Sequence, residues 1–275
     1  EYFRATAREK ISFKTGGNLG IHIIYLADKT DKILDSLSFK LACKTEIHDE
    51  GEHYKKLLDT LYWTMASWSK YADLVRLNGK FYHYFNRWLR DHTHTMKGMK
   101  YFSNELKTGF ELYADYQRED GMIWDNVVPR TKERNSWDQR FEYGNFIMPI
   151  DNYKYEFKRI PVENDVEYIF IECLYYTWKA TGDTEWMKQY LDKALKAINY
   201  STTNPYRWST KYQLLKRGYT IDTWDFQNEY DAQTMNGDIM CIDKDKTHFG
   251  IMYGDNTGFY AGCKYLSEML TVAGR

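Results

Sequence analysis

From about residue 86 onward, the apolar side chains of this 275-residue chain recur with the period of a helix, and no other feature restricts its fold as tightly. Val166, Ile169, Phe170, Cys173, Leu174 and Thr177 repeat at i, i+3, i+4 and i+7, which predicts a helix with one buried face, stopped by Gly182. Asp183 or Thr184 can cap the next helix, which carries Trp186, Tyr190, Ala194, Ala197 and Ile198. Two earlier helices are predicted from Trp88, His92, Met96 and Met99, and from Leu106, Phe110, Tyr113 and Ala114, the latter stopping near Gly121. A fifth begins near Asn256 with Phe259, Cys263, Leu266 and Leu270.

The N-terminal part has a different rhythm. Leu37, Phe39, Leu41, Cys43, Thr45 and Ile47 alternate with mostly polar residues, predicting a half-buried strand, with Ile11 to Thr15 and Ile21 to Leu26 as partners across the Gly16-Gly17-Asn18 turn. Asp49 and Glu50 then open a helix through Leu57, Leu58, Leu61 and Met65. Strands followed by paired helices are not a βαβ alternation. The expected organisation is the end of a β domain over 1–48, a connector helix and loop over 49–85, and helical hairpins over 86–275. The aromatic-rich stretches 122–161 and 202–255 are expected as long loops, which at this length are functional or conceal short elements.

Charge and composition remove several function classes. Lys and Arg total 38 against 39 Asp and Glu, so no basic field exists to hold a nucleic-acid backbone or an anionic lipid surface. No uncharged apolar run approaches the roughly 18 to 20 residues of a membrane span, and mean hydropathy is −0.70. Cys43, Cys173, Cys241 and Cys263 lie too far apart for a zinc knuckle or a disulfide framework, so a structural role is expected for them. The chain opens on Glu1 without a charged-then-apolar leader, which places any targeting segment outside this sequence; a periplasmic or secreted compartment is expected over a cytoplasmic one. Tyr, Phe and Trp make up 17% of the residues, and such rings fill cores but also stack on the C–H faces of sugars.

Three short segments combine residue types with chemistry. Trp88, Arg90 and Asp91 sit together at the start of a helix, where a guanidinium and a carboxylate can serve vicinal sugar hydroxyls; a surface ion pair at a helix N-terminus is the structural alternative. Asp222 and Asp225 flank Trp224 in a non-periodic segment, and a carboxyl held against an apolar ring has its charged form disfavoured, which suits it to protonate a glycosidic oxygen; an Asp turn or N-cap is the alternative. Asp255 and Asn256 begin the last helix. Glu163, Asp165 and Glu167 crowd the start of another, read as N-terminal carboxylates favoured by the helix dipole or as a further acid or substrate ligand. His92 and His94, two residues apart on a helix, diverge and are not expected to share a metal. No phosphate loop, dinucleotide fingerprint or nucleophile elbow occurs, so no cofactor is expected.

These segments carry a family resemblance. Trp88-Leu89-Arg90-Asp91 looks like the Arg-Asp sugar clamp of glucoamylases, and Trp224-Asp225-Phe226 resembles the Gly-Trp-Asp-Phe motif of trehalases and the acidic loop of processing α-glucosidases. Asp255-Asn256-Thr257-Gly258-Phe259-Tyr260 is similar to the start of the helix that follows in trehalases. The order agrees over roughly residues 85 to 275 with six-hairpin (α/α)6-barrel glycosidases. The resemblance implies a mainly α fold, an arc of an (α/α)6 toroid, and an inverting, exo-acting hydrolase of α-linked glucosides or related sugars. In it Asp225 would be the general acid, and Trp88, Arg90, Asp91, Asp222, Trp224, Asp255 and Asn256 would bind an oligosaccharide or glycoside. Asp222-Thr223 before Trp224, and Gln227-Asn228-Glu229 after Phe226, depart from the trehalase pattern and point away from trehalose itself. About five helices against the family's twelve imply a longer enzyme whose general base lies beyond Arg275, and an isolated piece that is aggregation-prone and inactive. The competing classes are a sugar-binding or scaffold protein without catalysis, and another barrel enzyme such as a phosphorylase or lyase.

Overall fold

The computed structural model describes residues 10, 12, 20–41, 45–67, 73–129, 147–152, 154–160, 163–218 and 249–275. An antiparallel hairpin comes first, of β1 (Gly20–Ala27) and β2 (Ile33–Leu41), joined through a turn in which Asp28 Oδ1 accepts from the Thr30 and Lys32 amides. The strand expected over 37–47 therefore begins and ends earlier, and Thr45 to Asp49 are not strand. Of its alternating residues that are described, Phe39, Thr45 and Ile47 are half-buried and Leu37 is exposed. Helix α1 (His53–Ser67) starts where Asp49 Oδ2 accepts the His53 amide at 2.8 Å.

A second hairpin follows, of β3 (Asp73–Leu77) and β4 (Lys80–Tyr84), turned at Asn78-Gly79, both with positive φ. Val75, Leu77, Tyr82 and Tyr84 point into the main core. Helices α2 (Leu89–Met99) and α3 (Lys107–Asp115) come next, then a three-stranded antiparallel sheet in the order β5 (Asn126–Pro129), β7 (Tyr155–Lys158), β6 (Ile147–Ile150). The chain continues through α4 (Val166–Thr181), the short α5 (Thr184–Lys188) and α6 (Leu191–Thr203). Four two-residue strands pair as β8 (Trp208–Ser209) with β9 (Leu214–Leu215) and β10 (Arg217–Gly218) with β11 (Phe249–Gly250), before α7 (Tyr253–Val272).

Helix α4 is the axis of the packing. Its Ile169, Phe170, Ile171, Cys173 and Leu174 are all buried, so it is enclosed on more than one face. Phe110 of α3, fully buried, stacks on Phe170 with ring centroids 4.7 Å apart and meets Trp186 and Tyr190 edge-on at 5.5 and 5.1 Å. On the other side α7 approaches through Gly258 and Gly262; a Cβ at Gly258 would lie 2.5 Å from the Tyr168 ring, so only glycine permits this contact.

The (α/α)6 toroid expected above is not what forms. Of the described residues 44% are helix and 23% strand, a mixed α/β arrangement of seven described helices and several small antiparallel sheets rather than a mainly α ring of hairpins. The cause lies in the two stretches expected as loops: they contain β5 to β7 and β8 to β11, elements too short for a two-residue period to register. The helix expected as one piece after Gly182 is two, broken between Lys188 and Leu191, with Asp183 capping α5 by accepting the Trp186 amide at 3.0 Å. No helix among the described residues is long and apolar enough to cross a membrane.

Phe110→Ala is expected to lower the unfolding free energy by about 3–5 kcal/mol, whereas Ile23→Thr in the exposed β1 should stay within about 0.5 kcal/mol. Urea unfolding of both variants checks this; equal losses would mean that Phe110 is not the centre of the core.

Candidate functional site

The Arg87 to Leu89 segment leading into α2 lies alongside β5 like an extra strand. The Leu89 amide donates to the Asp125 carbonyl at 2.8 Å, the Val127 amide to the Arg87 carbonyl at 3.1 Å, and Trp88 bridges to Asn126. This pairing sets the first turn of α2 beside the segment that precedes α4. Between them opens a small cleft of about 100 Å³, walled by Trp88, Arg90 and Asp91 on one side and by Asp125, Glu163 and Asp165 on the other.

Charge is distributed unevenly across this cleft. One Arg90 nitrogen lies 2.5 Å from Asp165 and 3.7 Å from Glu163. Burial, reinforced by the neighbouring Asp125 and Asp165, pushes the Glu163 carboxyl well above the usual carboxylate range. Burial also lifts Asp125 to about 7, against the pull of the Arg159 charge and of the Ile160 amide, which donates to Asp125 Oδ2 at 2.7 Å. The second oxygen of Asp125 and Oδ1 of Asp165 accept no hydrogen bond among the described residues. The cleft thus joins two carboxyls raised by burial, Glu163 and Asp125, to one paired with a guanidinium, the separation of roles that acid chemistry requires.

Behind the cleft, Arg159 and Glu167 form an ion pair at 3.1 Å with both side chains wholly buried. Arg159 also donates to the carbonyls of Ile123 and Glu163, and Glu167 Oε1 accepts the Ile123 amide. Arg207, also buried, donates to the Glu163 carbonyl at 2.5 Å and to Asn164 Oδ1 at 3.2 Å. Glu163 is thereby fixed through its own main chain.

The residues singled out from the sequence divide into three groups. Trp88, Arg90 and Asp91 line the cleft together. Asp255, at the first turn of α7, sits 3.3 Å from Arg217; burial raises its carboxyl, with Arg217 opposing and Asp165 adding to the rise. Asn256 is committed to the main chain, exchanging bonds with the Leu215 amide and carbonyl and donating to the Met252 carbonyl. Asp222, Trp224 and Asp225 lie outside the described residues. Of the acidic run at α4, Asp165 is the N-cap residue but its side chain makes no capping bond, and Glu167 is used by Arg159. The dipole reading of these carboxylates gives way to the cleft and the buried pair.

Asp125 escaped the sequence reading. Its signal was a Trp-Asp dipeptide, Trp124-Asp125, of the same kind that drew attention to Trp224-Asp225. His92 is buried, accepts the Phe85 amide on Nδ1 and is lowered to about 3 by desolvation, so it remains neutral. No group of three or more His, Cys, Asp or Glu side chains with metal-binding placement occurs among the described residues. Cys173 is a free, buried thiol that desolvation pushes up to about 12 against hydrogen bonds with Thr93 and Thr177. No protein-family model, curated protein or solved structure matches the chain.

The raised Asp125 carboxyl has a linkage consequence. The folded state keeps a proton that the unfolded chain loses at its ordinary value of 3.8, so stability falls as pH rises from about 4 to about 7. Asp125→Asn, whose side-chain oxygen can still accept the Ile160 amide, is expected to flatten that part of the profile and to be relatively more stable at pH 8. Thermal unfolding across pH 4 to 8 reads this; an unchanged slope would place the proton elsewhere. Arg159→Met leaves Glu167 buried without its partner and should cost about 3–5 kcal/mol.

Proposed function

We propose that this chain carries the sugar-binding, acid-bearing cleft of a glycoside hydrolase. The observation that supports this most is the convergence of Trp88, Arg90 and Asp91 with the Glu163 and Asp125 carboxyls, both raised by burial, in one cleft. Each element has a use in that chemistry. Trp88 offers a ring for the C–H face of a pyranose, and its amide is held by Asn86 Oδ1 at 3.1 Å. Arg90, charged at all working pH values and braced by Asp165, presents a fixed fork of donors to ring hydroxyls. Asp91 supplies the adjoining acceptor.

In this reading the substrate is an α-linked glucoside or a related sugar, cleaved from a chain end with inversion. Asp225 donates the proton to the leaving oxygen, Trp224 adjoins it, and Asp222 contributes to the same acidic segment, as the resemblance to trehalases and processing α-glucosidases implies. Inversion requires a second carboxylate to activate water from the opposite face, at about 6.5–9.5 Å from the acid. The toroidal architecture of that group forms no part of the proposal. Asp255 takes a place at the edge of the same electrostatic network, and Asn256 supports it by fixing Leu215 beside α7.

A panel of nitrophenyl glycosides and gluco-oligosaccharides, with the product anomer followed by proton NMR, tests the proposal. Asp225→Asn should lower kcat by about 10²- to 10⁴-fold with sugar binding largely kept. Arg90→Met should raise KM by roughly ten- to a hundredfold, as expected for losing charge-assisted hydrogen bonds. Near-normal turnover in Asp225→Asn of the full-length protein would remove that residue from the mechanism, and no cleavage of any glycoside by the full-length protein would remove the hydrolase.

A further inference from the structure

Among the described residues, the lining of the cleft holds four carboxyl groups, from Asp91, Asp125, Glu163 and Asp165, and one guanidinium, that of Arg90. The other cations nearby are already engaged. Arg159 belongs to Glu167, Arg207 to the Glu163 carbonyl and Asn164, and Arg217 to Asp255. Arg90 itself is taken up mainly by Asp165 at 2.5 Å. Two carboxylate oxygens on nearly fully buried residues, Asp125 Oδ1 and Asp165 Oδ1, accept no hydrogen bond among the described residues, although buried acceptors are nearly always satisfied in folded proteins.

A neutral sugar could offer hydroxyl donors to those oxygens, but even with Asp125 and Glu163 protonated it would leave Asp91 and Asp165 sharing the one charge of Arg90. A metal ion would correct the charge, yet the described carboxyls do not assemble into a metal-binding group. A ligand that supplies both donors and positive charge on a ring-sized frame satisfies both demands, and the Trp88 face adds a favourable surface for a cation. The geometry points to a sugar that bears a protonated amino group, a 2-amino-2-deoxyhexose, with its ammonium received by Asp125 and Asp165. This rests on the carbohydrate reading above and names the substrate class within it. An ammonium carries three donors and no acceptor, which matches a wall of acceptors. Its arrival favours the ionised form of Asp125 and Glu163, so binding releases protons to solvent.

The test is calorimetric titration of the whole chain with glucosamine, N-acetylglucosamine and glucose at pH 7, repeated in two buffers of different ionisation enthalpy. Glucosamine should bind roughly ten- to a hundredfold more tightly than the two uncharged sugars, the size of effect expected of charge-assisted hydrogen bonds, with a buffer-dependent heat that reports proton release. Asp125→Asn should remove most of that preference and shrink the proton release, while Glu163→Gln should reduce the release with a smaller change in preference. Equal binding of glucosamine and N-acetylglucosamine by the wild-type chain would overturn the inference without any variant being needed. If glycosides are cleaved and no amino-sugar preference is found, this inference falls and the hydrolase stands. If no sugar binds and no glycoside is cleaved, both fall.

Discussion

The wholly buried Arg159–Glu167 pair is the interaction on which the rest of the structure depends. Removing two charges from water costs several kcal/mol each, and such a pair is tolerated only when hydrogen bonds satisfy what the ion pair leaves over. Here they largely do: Arg159 reaches two main-chain carbonyls and Glu167 accepts an amide, so the pair ties the end of β7, the Ile123 segment and the first turn of α4 to one another. A hydrophobic pair of similar volume could fill the space. It could not fix the Glu163 carbonyl, which takes donors from both Arg159 and Arg207. The position of the Glu163 side chain is therefore a consequence of charges placed behind it.

That arrangement also explains why the cleft is electrostatically unbalanced. The guanidinium groups of Arg159 and Arg207 are spent on support, which leaves Arg90 to face the carboxyls of the cleft. With counter-charge scarce and water largely excluded, the Asp125 and Glu163 carboxyls are raised above the usual carboxylate range. The molecule bears a stability cost at this one place while Phe110, Phe170 and the rings around them supply burial elsewhere. Carboxyls raised by burial in a cleft beside a well-packed core mark a candidate site for a ligand.

How much of this was legible in the sequence depended on the length of the element concerned. The α4 and α7 patterns could be read because sixteen and twenty residues give several turns of period, and Gly182 marks the end of α4 with φ 68. Strands of two to four residues offer no period, so β5 to β11 passed for loops and the helices alone implied a ring. Asn78-Gly79 between Leu74 to Leu77 and Phe81 to Tyr84 is a strong short-range hairpin signal, yet it falls in a segment assigned to a connector by its neighbours. At the α4 start, three carboxylates within five residues satisfied a helix-dipole argument that the geometry does not use, because Asp165 turns to Arg90 and Glu167 to Arg159.

The two Trp-Asp dipeptides show where reading the site from sequence stops. In each, an aromatic neighbour argued for a desolvated carboxyl. For Asp125 the desolvation is real, but Trp124 is not shown to be its cause: that ring donates its N–H to the Tyr116 carbonyl, and the Asp125 carboxyl is held by the Ile160 amide and influenced by Arg159, Asp165 and Arg90. Those residues lie 34 to 40 positions away along the chain. Residue type supplies the group that can carry a proton, while tertiary packing decides whether it keeps it. A Trp-Asp pair is thus a place to look for an acid, and the discriminating quantity is how many buried charges the fold brings to it. For Asp125 the charges are one ion-paired guanidinium behind, one shared guanidinium beside, and two further carboxyls. That balance raises its carboxyl to about 7.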